Sequence, residues 1–312
     1  MSTNIHYDGF SVVSVISSAL PYRAQHVTSL NDQMKPIHNS LLQLPRITGK
    51  SQLIDTHCHL DMEAYHTDLD AVLSSAAHHG VGSVITIGID NQSSQQAVQL
   101  AHRYPKVFAT VGFHPHDAAE ATPEALQQLA DLATDPKVVG FGEIGLDYVK
   151  NYAPQEVQRK VFTEQLHLAK DLDLPVVIHD REAHADVCRL IEAAGPFPRG
   201  GVMHCFSGDR NLAERMIDMG FAISIPGVVT FANAQVLHEV VRCIDLRFLL
   251  LETDGPYLAP VPFRGKRNEP KLMVLTAQKV ADLKGIPLDD VAEMTTANAT
   301  RLFRLPGTDH DS

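Results

Sequence analysis

The sequence lacks several features that would place it in common protein classes. No apolar run approaches the ~20 residues that a membrane-spanning helix needs, so we expect no membrane partner. Cysteine is scarce, because the 312 residues contain only four and no two of them form a C-x-x-C pair. This excludes a dense disulfide framework and is typical of a reducing compartment, so we expect a cytoplasmic protein.

Positive charge is also in short supply. The formal net charge is −11 and the pI is about 5.8. A protein that holds nucleic acid on a broad basic surface usually has the opposite balance. If the substrate is a polyanion, bound divalent cations and a few arginines must therefore offset the repulsion locally.

Residues 1–50 differ in character from the rest of the chain. They are rich in Ser, Asn, Gln and His and show no hydrophobic period. We predict that they form a flexible N-terminal extension outside the fold. Residues 51–306 are predicted to form one folded domain, and residues 307–312 a short tail.

From residue 53 onward, short β-branched apolar runs alternate with longer segments of helical spacing. The runs cover residues 53–60, 81–89, 107–114, 138–147, 175–180, 200–208, 221–227 and 248–254. Eight strands separated by helices in this length favour a (β/α)8 TIM barrel of the α/β class. A doubly wound open sheet is the alternative, although no G-x-G-x-x-G motif follows the first run to support a nucleotide-binding version.

Five of these predicted strands carry a charged or metal-binding residue at or near the C-terminal end, where a buried strand should be apolar. The residues are His57, His59, Glu143, His179, His204 and Asp254. In a TIM barrel these strand ends together form the active site. Four imidazoles and two carboxylates are costly to bury without an ion, so we predict a metal site there.

The six residues provide more ligands than one ion needs, which predicts two divalent ions per subunit. We assign His57, His59 and Asp254 to one ion and the histidines of strands 5 and 6 to the other, with Glu143 as the bridge. The mixture of imidazole and carboxylate suits Zn, Mn, Co or Fe, and Mg less naturally. Asp254 and Glu143 are also the predicted catalytic residues, with Asp254 as general base for an attacking water.

Strand alternation separates the cysteines from this cluster. His57 and His59 point to the same side of their strand, so Cys58 between them points away. The same argument turns Cys205 away from His204. We interpret both cysteines as core residues.

Two residues near the predicted barrel mouth are candidates for substrate contact. His114 ends the third strand within "GFHPH", so its side chain is expected to face the mouth. Arg181 directly follows strand 5 and could bind a phosphate at the start of the next helix. A salt bridge is the equally plausible alternative for Arg181.

The loop "PFRGKRNEP" after strand 8 is basic. Arg264 and Arg267 in this loop could contact substrate phosphates and so allow an acidic protein to bind DNA. The structural alternative is that these arginines form ion pairs with Glu252 or Glu269. Both interpretations stay open at this point.

Seven motifs, in order, resemble signatures of the TatD-family metal-dependent deoxyribonucleases. They are "DTHCHLD", "GFHPHDA", "GEIGLDY", "PVVIHDREAH", "MHCFSG", "ETDGPYLAP" and "RGKRNEP", and the resemblance covers about residues 53–305. It implies a distorted TIM barrel and a cytoplasmic nuclease that uses divalent metal to remove nucleotides from DNA 3′ ends. The family's ligands fall on the same six residues that the strand ends select. Many relatives have serine or alanine where this chain has Gly255, which predicts a looser loop around Asp254.

The leading hypothesis is therefore a deoxyribonuclease whose partner is DNA, in single strands or at 3′ ends. The same ligands could instead cleave another ester or an amide, including the aminoacyl ester of a charged tRNA. A metal-binding scaffold without catalysis is a third reading, which the intact ligand set does not favour. The oligomeric state stays open, because no helix shows a clear association stripe.

Overall fold

The computed structural model describes residues 43–306. Residues 1–42 of the predicted extension and the predicted tail, 307–312, lie outside the described residues. The strands are β1 (Leu53–Cys58), β2 (Val81–Ile87), β3 (Val107–Val111), β4 (Val138–Asp147), β5 (Val176–Arg181), β6 (Gly201–Met203), β7 (Phe221–Ile225) and β8 (Leu249–Leu251). Each of the eight predicted strands is thus present, with shorter bounds than the apolar runs in most cases.

Helices separate the strands and follow the last one. They are α1 (Leu69–His78), α2 (Asn91–Arg103), α3 (Pro123–Leu132), α4 (Gln155–Asp171), α5 (His184–Ala194), α6 (Arg210–Asp218), α7 (Gln235–Cys243), α8 (Met273–Lys284) and α9 (Leu288–Phe303). Short 3-10 turns occupy several of the connections. In the described part of the chain, no helix is long and apolar enough to cross a membrane.

The eight strands form one parallel sheet in chain order, from β1 to β8. The two ends of the sheet meet through a parallel bridge between Cys58 and Gly255. The backbone N–H of Asp254 donates to the His57 carbonyl at 2.8 Å, and that of His59 donates to the Gly255 carbonyl at 2.7 Å. The sheet therefore closes on itself, which confirms the TIM barrel over the open sheet.

The interior of the barrel is filled by apolar side chains from every strand. The buried members of this cluster include Ile54, Ile85, Phe108, Val139, Val177, Val202 and Leu250, and Ala222 of β7 packs against them. Side chains from all eight strands can meet only inside the barrel. Phe303 and Leu305, at the end of α9, belong to the same cluster and close it from the end opposite the site described below.

The register of β1 and β4 is irregular where the polar residues begin. Ile54 belongs to the interior cluster, whereas Cys58 packs in the outer core between strands and helices. The β1–β2 register shifts between Asp55 and Cys58, and the β3-facing and β5-facing edges of β4 shift as well. Such a shift lets both Ile54 and the later His57 face the barrel interior.

The last part of the predicted extension lies against the barrel. Leu44 and Ile47 pack on the outer core. The backbone N–H of Thr48 donates to Asp289 Oδ1 at 2.8 Å, at the start of α9. Residues 43–50 therefore contact the fold, although the sequence placed them outside it, because two apolar side chains among polar ones give no periodic signal.

Candidate metal centre

The six predicted ligands meet at the C-terminal mouth of the barrel. A cavity of about 660 Å³ opens there, and its lining includes His59, Glu143, His179, His204 and Asp254. His57 lies beneath it and is completely buried. The closed barrel of parallel strands thus brings together residues that are up to 197 positions apart in the chain.

The ligand atoms fall into three overlapping groups, each within 4.8 Å. One group is His57, His59 and Asp254, and a second is His57, Glu143 and His204. The third is His114, Glu143 and His179, so it includes a histidine that the sequence suggested only for substrate contact. Shared members make the three groups one continuous cluster.

Glu143 lies between the two predicted half-sites. Its Oε2 faces β1, at 3.3 Å from His57 Nε2 and 3.8 Å from His59 Nε2. Its Oε1 faces β5 and β6, at 2.7 Å from His179 Nδ1 and 3.0 Å from His204 Nε2. One carboxylate oxygen toward each half-site is the arrangement that a bridging ligand requires.

The donor set fits divalent cations. His57 has no aligned hydrogen bond at either ring nitrogen although it is buried, and its ring stacks on His204 at 3.7 Å between centroids. Burial, reinforced by the neighbouring His204, lowers the pKa of His57, so the ring is neutral. A buried neutral imidazole with a free nitrogen aimed at two carboxylates is costly unless something binds it. Ligation of a metal ion satisfies that nitrogen.

The two carboxylates of the cluster are ionised. Burial alone would raise the pKa of Glu143, but His204 and the other imidazoles outweigh it and hold the pKa well below its ordinary value. Asp254 behaves in the same way, with His59 as the main opposing partner. His59 Nε2 lies 3.5 Å from Asp254 Oδ1. Negative charge is therefore available at both half-sites.

Two further carboxylates orient the histidines from behind. Glu252 Oε1 accepts a hydrogen bond from the Cys205 backbone N–H at 2.6 Å and lies 3.3 Å from His204 Nδ1. This turns His204 Nε2 toward Glu143. Glu252 therefore pairs with a histidine, and neither loop arginine reaches it.

Asp147 has the corresponding position behind His179, and the sequence reasoning missed it. Its Oδ2 lies 3.4 Å from His179 Nε2 and 2.8 Å from His116 Nε2. Its Oδ1 accepts hydrogen bonds from the backbone N–H groups of Val149 and Lys150. One buried carboxylate thus fixes two histidines and the loop after β4. The available signal was its position in "GEIGLDY", four residues after Glu143 on the same strand.

Asp55 has a structural role beside the cluster. It accepts hydrogen bonds from the Thr253 N–H at 2.9 Å, the Thr253 hydroxyl at 2.6 Å and the His57 N–H at 3.3 Å. Burial raises its pKa to about 7. Its contacts join β1 to the segment that carries Asp254, so it helps to close the barrel at the metal centre.

His114 faces the cluster as a hydrogen-bond donor. The His116 backbone N–H donates to His114 Nδ1 at 3.1 Å, which places the ring hydrogen on Nε2. Nε2 lies 3.5 Å from Glu143 Oε1. Burial lowers the pKa of His114 to about 3, so the ring stays neutral. Its Nε2–H can donate to Glu143 or to an oxygen of a bound substrate.

The predicted arginines separate into different environments. Arg181 is exposed and lines the mouth. Arg264 is exposed outside the cavity lining, with its guanidinium 4.6 Å from the centre of the Phe231 ring. Arg267 is not at the mouth: its side chain is 2% exposed and pairs with Asp68 at 2.7 Å and Glu269 at 2.8 Å. For Arg267 the structural alternative, an ion pair with Glu269, is what the structure contains.

Cys58 and Cys205 also lie in different environments. Cys58 points into the outer core, as alternation predicted, with its Sγ 3.6 Å from the Gly255 carbonyl. Cys205 instead lines the mouth cavity, so its interpretation as a core residue was wrong. Strand β6 ends at Met203, and Cys205 has a left-handed φ of 45°, so alternation no longer applies to it. It belongs to none of the three ligand groups formed by the described residues.

Gly255 is tightly packed, which corrects the expectation of a loose loop. A β-carbon at this position would lie 2.5 Å from the Tyr65 hydroxyl and 3.0 Å from Cys58 Sγ. That hydroxyl donates to the Asn268 carbonyl at 2.6 Å. Tyr65 therefore fills the space that a larger residue at 255 would need.

Comparison with known proteins agrees with this geometry. The family described as TatD related DNase matches residues 54–304. A metal-dependent hydrolase of Bacillus subtilis, YabD, is 42% identical over 81% of this chain and 99% of its own length. The Escherichia coli metal-dependent hydrolase YcfH is 37% identical over 81% of this chain and 96% of its own.

A solved structure shows the same fold. The crystal structure of YjjV, a TatD homologue from Escherichia coli, matches with a TM-score of 0.78 and 34% identity. The match covers 81% of this chain and 98% of that one. The chain belongs to the TatD-related DNase family, and it is a metal-dependent hydrolase.

Proposed function

We propose that this member of the TatD-related DNase family is a deoxyribonuclease that uses two divalent ions, Zn, Mn or Mg, to remove nucleotides from the 3′ ends of DNA. The observation that carries the proposal is the position of Glu143, with one carboxylate oxygen toward each of two histidine groups. Two-ion centres of this kind serve in-line displacement at phosphorus. The matching family's description as a DNase supports the same substrate class.

Several residues of the chain would hold the ions. His57, His59 and Asp254, which form one of the three groups, would hold one ion. His179 and His204, which both lie against Oε1 of Glu143, would hold the other, with Glu143 between them. When bound, divalent ions supply Lewis-acid chemistry that favours attack by water and stabilises negative charge on the phosphoryl oxygens. The role of each remaining side chain follows from its own contacts.

Asp254 is the proposed general base. Its carboxylate is ionised, and its side chain is 14% exposed, so a water molecule at the mouth can reach it. It accepts the proton of the water whose oxygen attacks phosphorus. The bond from phosphorus to the 3′ oxygen of the preceding nucleotide then breaks, and that oxygen takes up a proton. The released product carries a 5′-phosphate.

Neutral His114 and the cations at the rim bind the substrate. His114 Nε2–H points into the cluster and can donate to a phosphoryl oxygen. Arg181 at the cavity edge is placed to contact a neighbouring phosphate. Arg264, on the exposed loop after β8, is a further candidate for the DNA backbone. These local contacts offset the net charge of −11.

The test is release of a 3′ label from single-stranded DNA by the metal-loaded protein. We expect stepwise loss of the label from wild type and almost none from Asp254→Asn. Glu182→Gln is the matched control, because Glu182 lines the same cavity but belongs to none of the ligand groups. It should retain most of the activity. A folded, metal-bound wild type that leaves DNA intact but hydrolyses an aminoacyl ester or another ester would contradict the proposal.

A further inference from the structure

Most of the large apolar side chains that are exposed in the described part of the chain lie in two loops that follow barrel strands. Among the described residues, seven large hydrophobic side chains are exposed, and five of them lie in the loops after β4 and β8: Val149, Tyr152, Tyr257, Leu258 and Val261. These are the loops that follow Asp147 and Asp254 in the chain. Tyr257 and Leu258 line the mouth cavity itself. Exposed apolar side chains grouped beside a polar pocket indicate a surface that contacts a ligand.

Two of these side chains are tyrosines, and each stands beside a different part of the metal centre. The Tyr257 ring centre lies 6.3 Å from that of His59, in the half-site with Asp254. The Tyr152 ring centre lies 4.7 Å from that of His116. His116 is bound to Asp147, which also contacts His179 of the other half-site. One aromatic ring therefore accompanies each half-site.

Hydrogen bonds anchor the backbone that carries both rings. The Tyr257 N–H donates to the Asp254 carbonyl at 2.9 Å, so this ring is tied to the proposed general base. The loop that carries Tyr152 is anchored at its start by Asp147, which accepts from Val149 and Lys150 N–H groups at 2.9 and 2.8 Å. At its end, Gln158 Nε2 donates to the Ala153 carbonyl at 2.9 Å. The backbone at both positions is therefore anchored, while the two side chains are exposed.

One cation shares the loop of Tyr152, and another ends the neighbouring strand β5. Lys150 and Arg181 are exposed and line the cavity. Neither forms an ion pair with any described carboxylate, in contrast to the buried Arg267. A flat aromatic surface next to an unpaired cation matches the alternation of base and phosphate along a nucleotide chain.

We propose that Tyr257 and Tyr152 are stacking platforms for two nucleobases of a single strand that lies across the mouth, with Lys150 and Arg181 against its phosphates. This rests on the proposed nuclease function and specifies how the strand is bound. Stacking needs a free base face, which a single strand offers and the interior of a duplex does not. Every base has such a face, so the platforms select single strands without selecting sequence.

The proposal is tested by binding of a short single-stranded oligodeoxynucleotide to the metal-loaded full chain. Phosphorothioate linkages slow its hydrolysis, and 2-aminopurine at or next to the 3′ end reports stacking by loss of fluorescence. Tyr152→Ala and Tyr257→Ala should each weaken binding by about 5- to 100-fold. Each should also restore fluorescence at one probe position. Tyr152→Phe and Tyr257→Phe keep the ring and should bind and quench like wild type.

An oligomer with the same phosphates and abasic sugars separates stacking from charge. Its binding should respond to Lys150→Ala and Arg181→Ala but not to either tyrosine change. Unaltered affinity and quenching in both Tyr→Ala variants, with wild-type melting temperatures, would overturn the stacking proposal and leave the nuclease function intact. If wild type binds no oligonucleotide, the proposed function and the stacking proposal both fail.

Discussion

Replacing Arg267 tests whether its buried guanidinium holds the loop after β8 in place or binds substrate. It donates to both carboxylate oxygens of Asp68, at 2.9 and 2.7 Å, to Glu269 Oε1 at 2.8 Å and to the Ala64 carbonyl at 2.5 Å. Arg267→Met keeps the length of the side chain and removes the charge. Glu269 and Asp68 then lose their shared partner.

The expected loss in the free energy of unfolding follows from the burial of Arg267, Asp68 and Glu269. Breaking a buried ion pair by removing one partner costs about 3–5 kcal/mol. Asp68 is 28% exposed, and Glu269 keeps Lys271 at 2.7 Å, so both carboxylates have partial compensation. We therefore expect a loss near the lower limit, about 3 kcal/mol in the free energy of unfolding. For a domain of this size that lowers Tm by about 6–12 °C.

The assay is denaturant unfolding together with the KM for an oligonucleotide substrate. Arg264→Met is the matched control, because Arg264 is exposed on the same loop and its guanidinium forms no ion pair with the described residues and lies against the Phe231 ring. An exposed cation–π contact contributes about 0.5–1 kcal/mol, so this variant should stay nearly as stable as wild type. Unchanged stability of Arg267→Met with a raised KM would refute the structural role and restore the interpretation of Arg267 as a phosphate contact.

Two further changes test the surroundings of the centre. Glu252→Gln keeps an oxygen acceptor for the Cys205 N–H but removes the negative charge beside His204 Nδ1. Metal affinity, measured by calorimetric titration, should therefore fall about 10-fold. An unchanged affinity would show that His204 needs no charged partner. Gly255→Ala should destabilise the fold by about 1–3 kcal/mol, because its β-carbon would lie 2.5 Å from the Tyr65 hydroxyl. In a double-mutant cycle, Tyr65→Phe should recover part of that loss, and simple additivity of the two changes would contradict the packing argument.

The strand ends made much of the candidate site predictable. His57, Glu143 and Asp254 are polar residues in strands that are otherwise apolar, and a parallel barrel brings all such ends to one mouth. Residue type and position in the chain therefore suffice to group them. The same logic predicted eight strands in order, because each buried strand is a short apolar run between helical segments.

Other features depend on packing that the chain does not encode locally. Asp147 contacts His179 and His116 across neighbouring strands, so its role appears only when β3, β4 and β5 are in place. Arg267 and Arg264 are three residues apart in one loop, yet one guanidinium is buried and the other exposed. Strand alternation does not apply to Cys205, because β6 ends two residues before it.

The most direct test of the account is the number of divalent ions that the full chain binds. Metal-free protein would be equilibrated with Mn²⁺ and the bound metal measured after removal of free ions. We expect two ions per chain for wild type and for Glu182→Gln, and loss of tight binding at both half-sites in Glu143→Ala, because each oxygen of Glu143 faces one of them. A wild type that binds no metal, or a Glu143→Ala variant that still binds two ions tightly, would contradict the central claim.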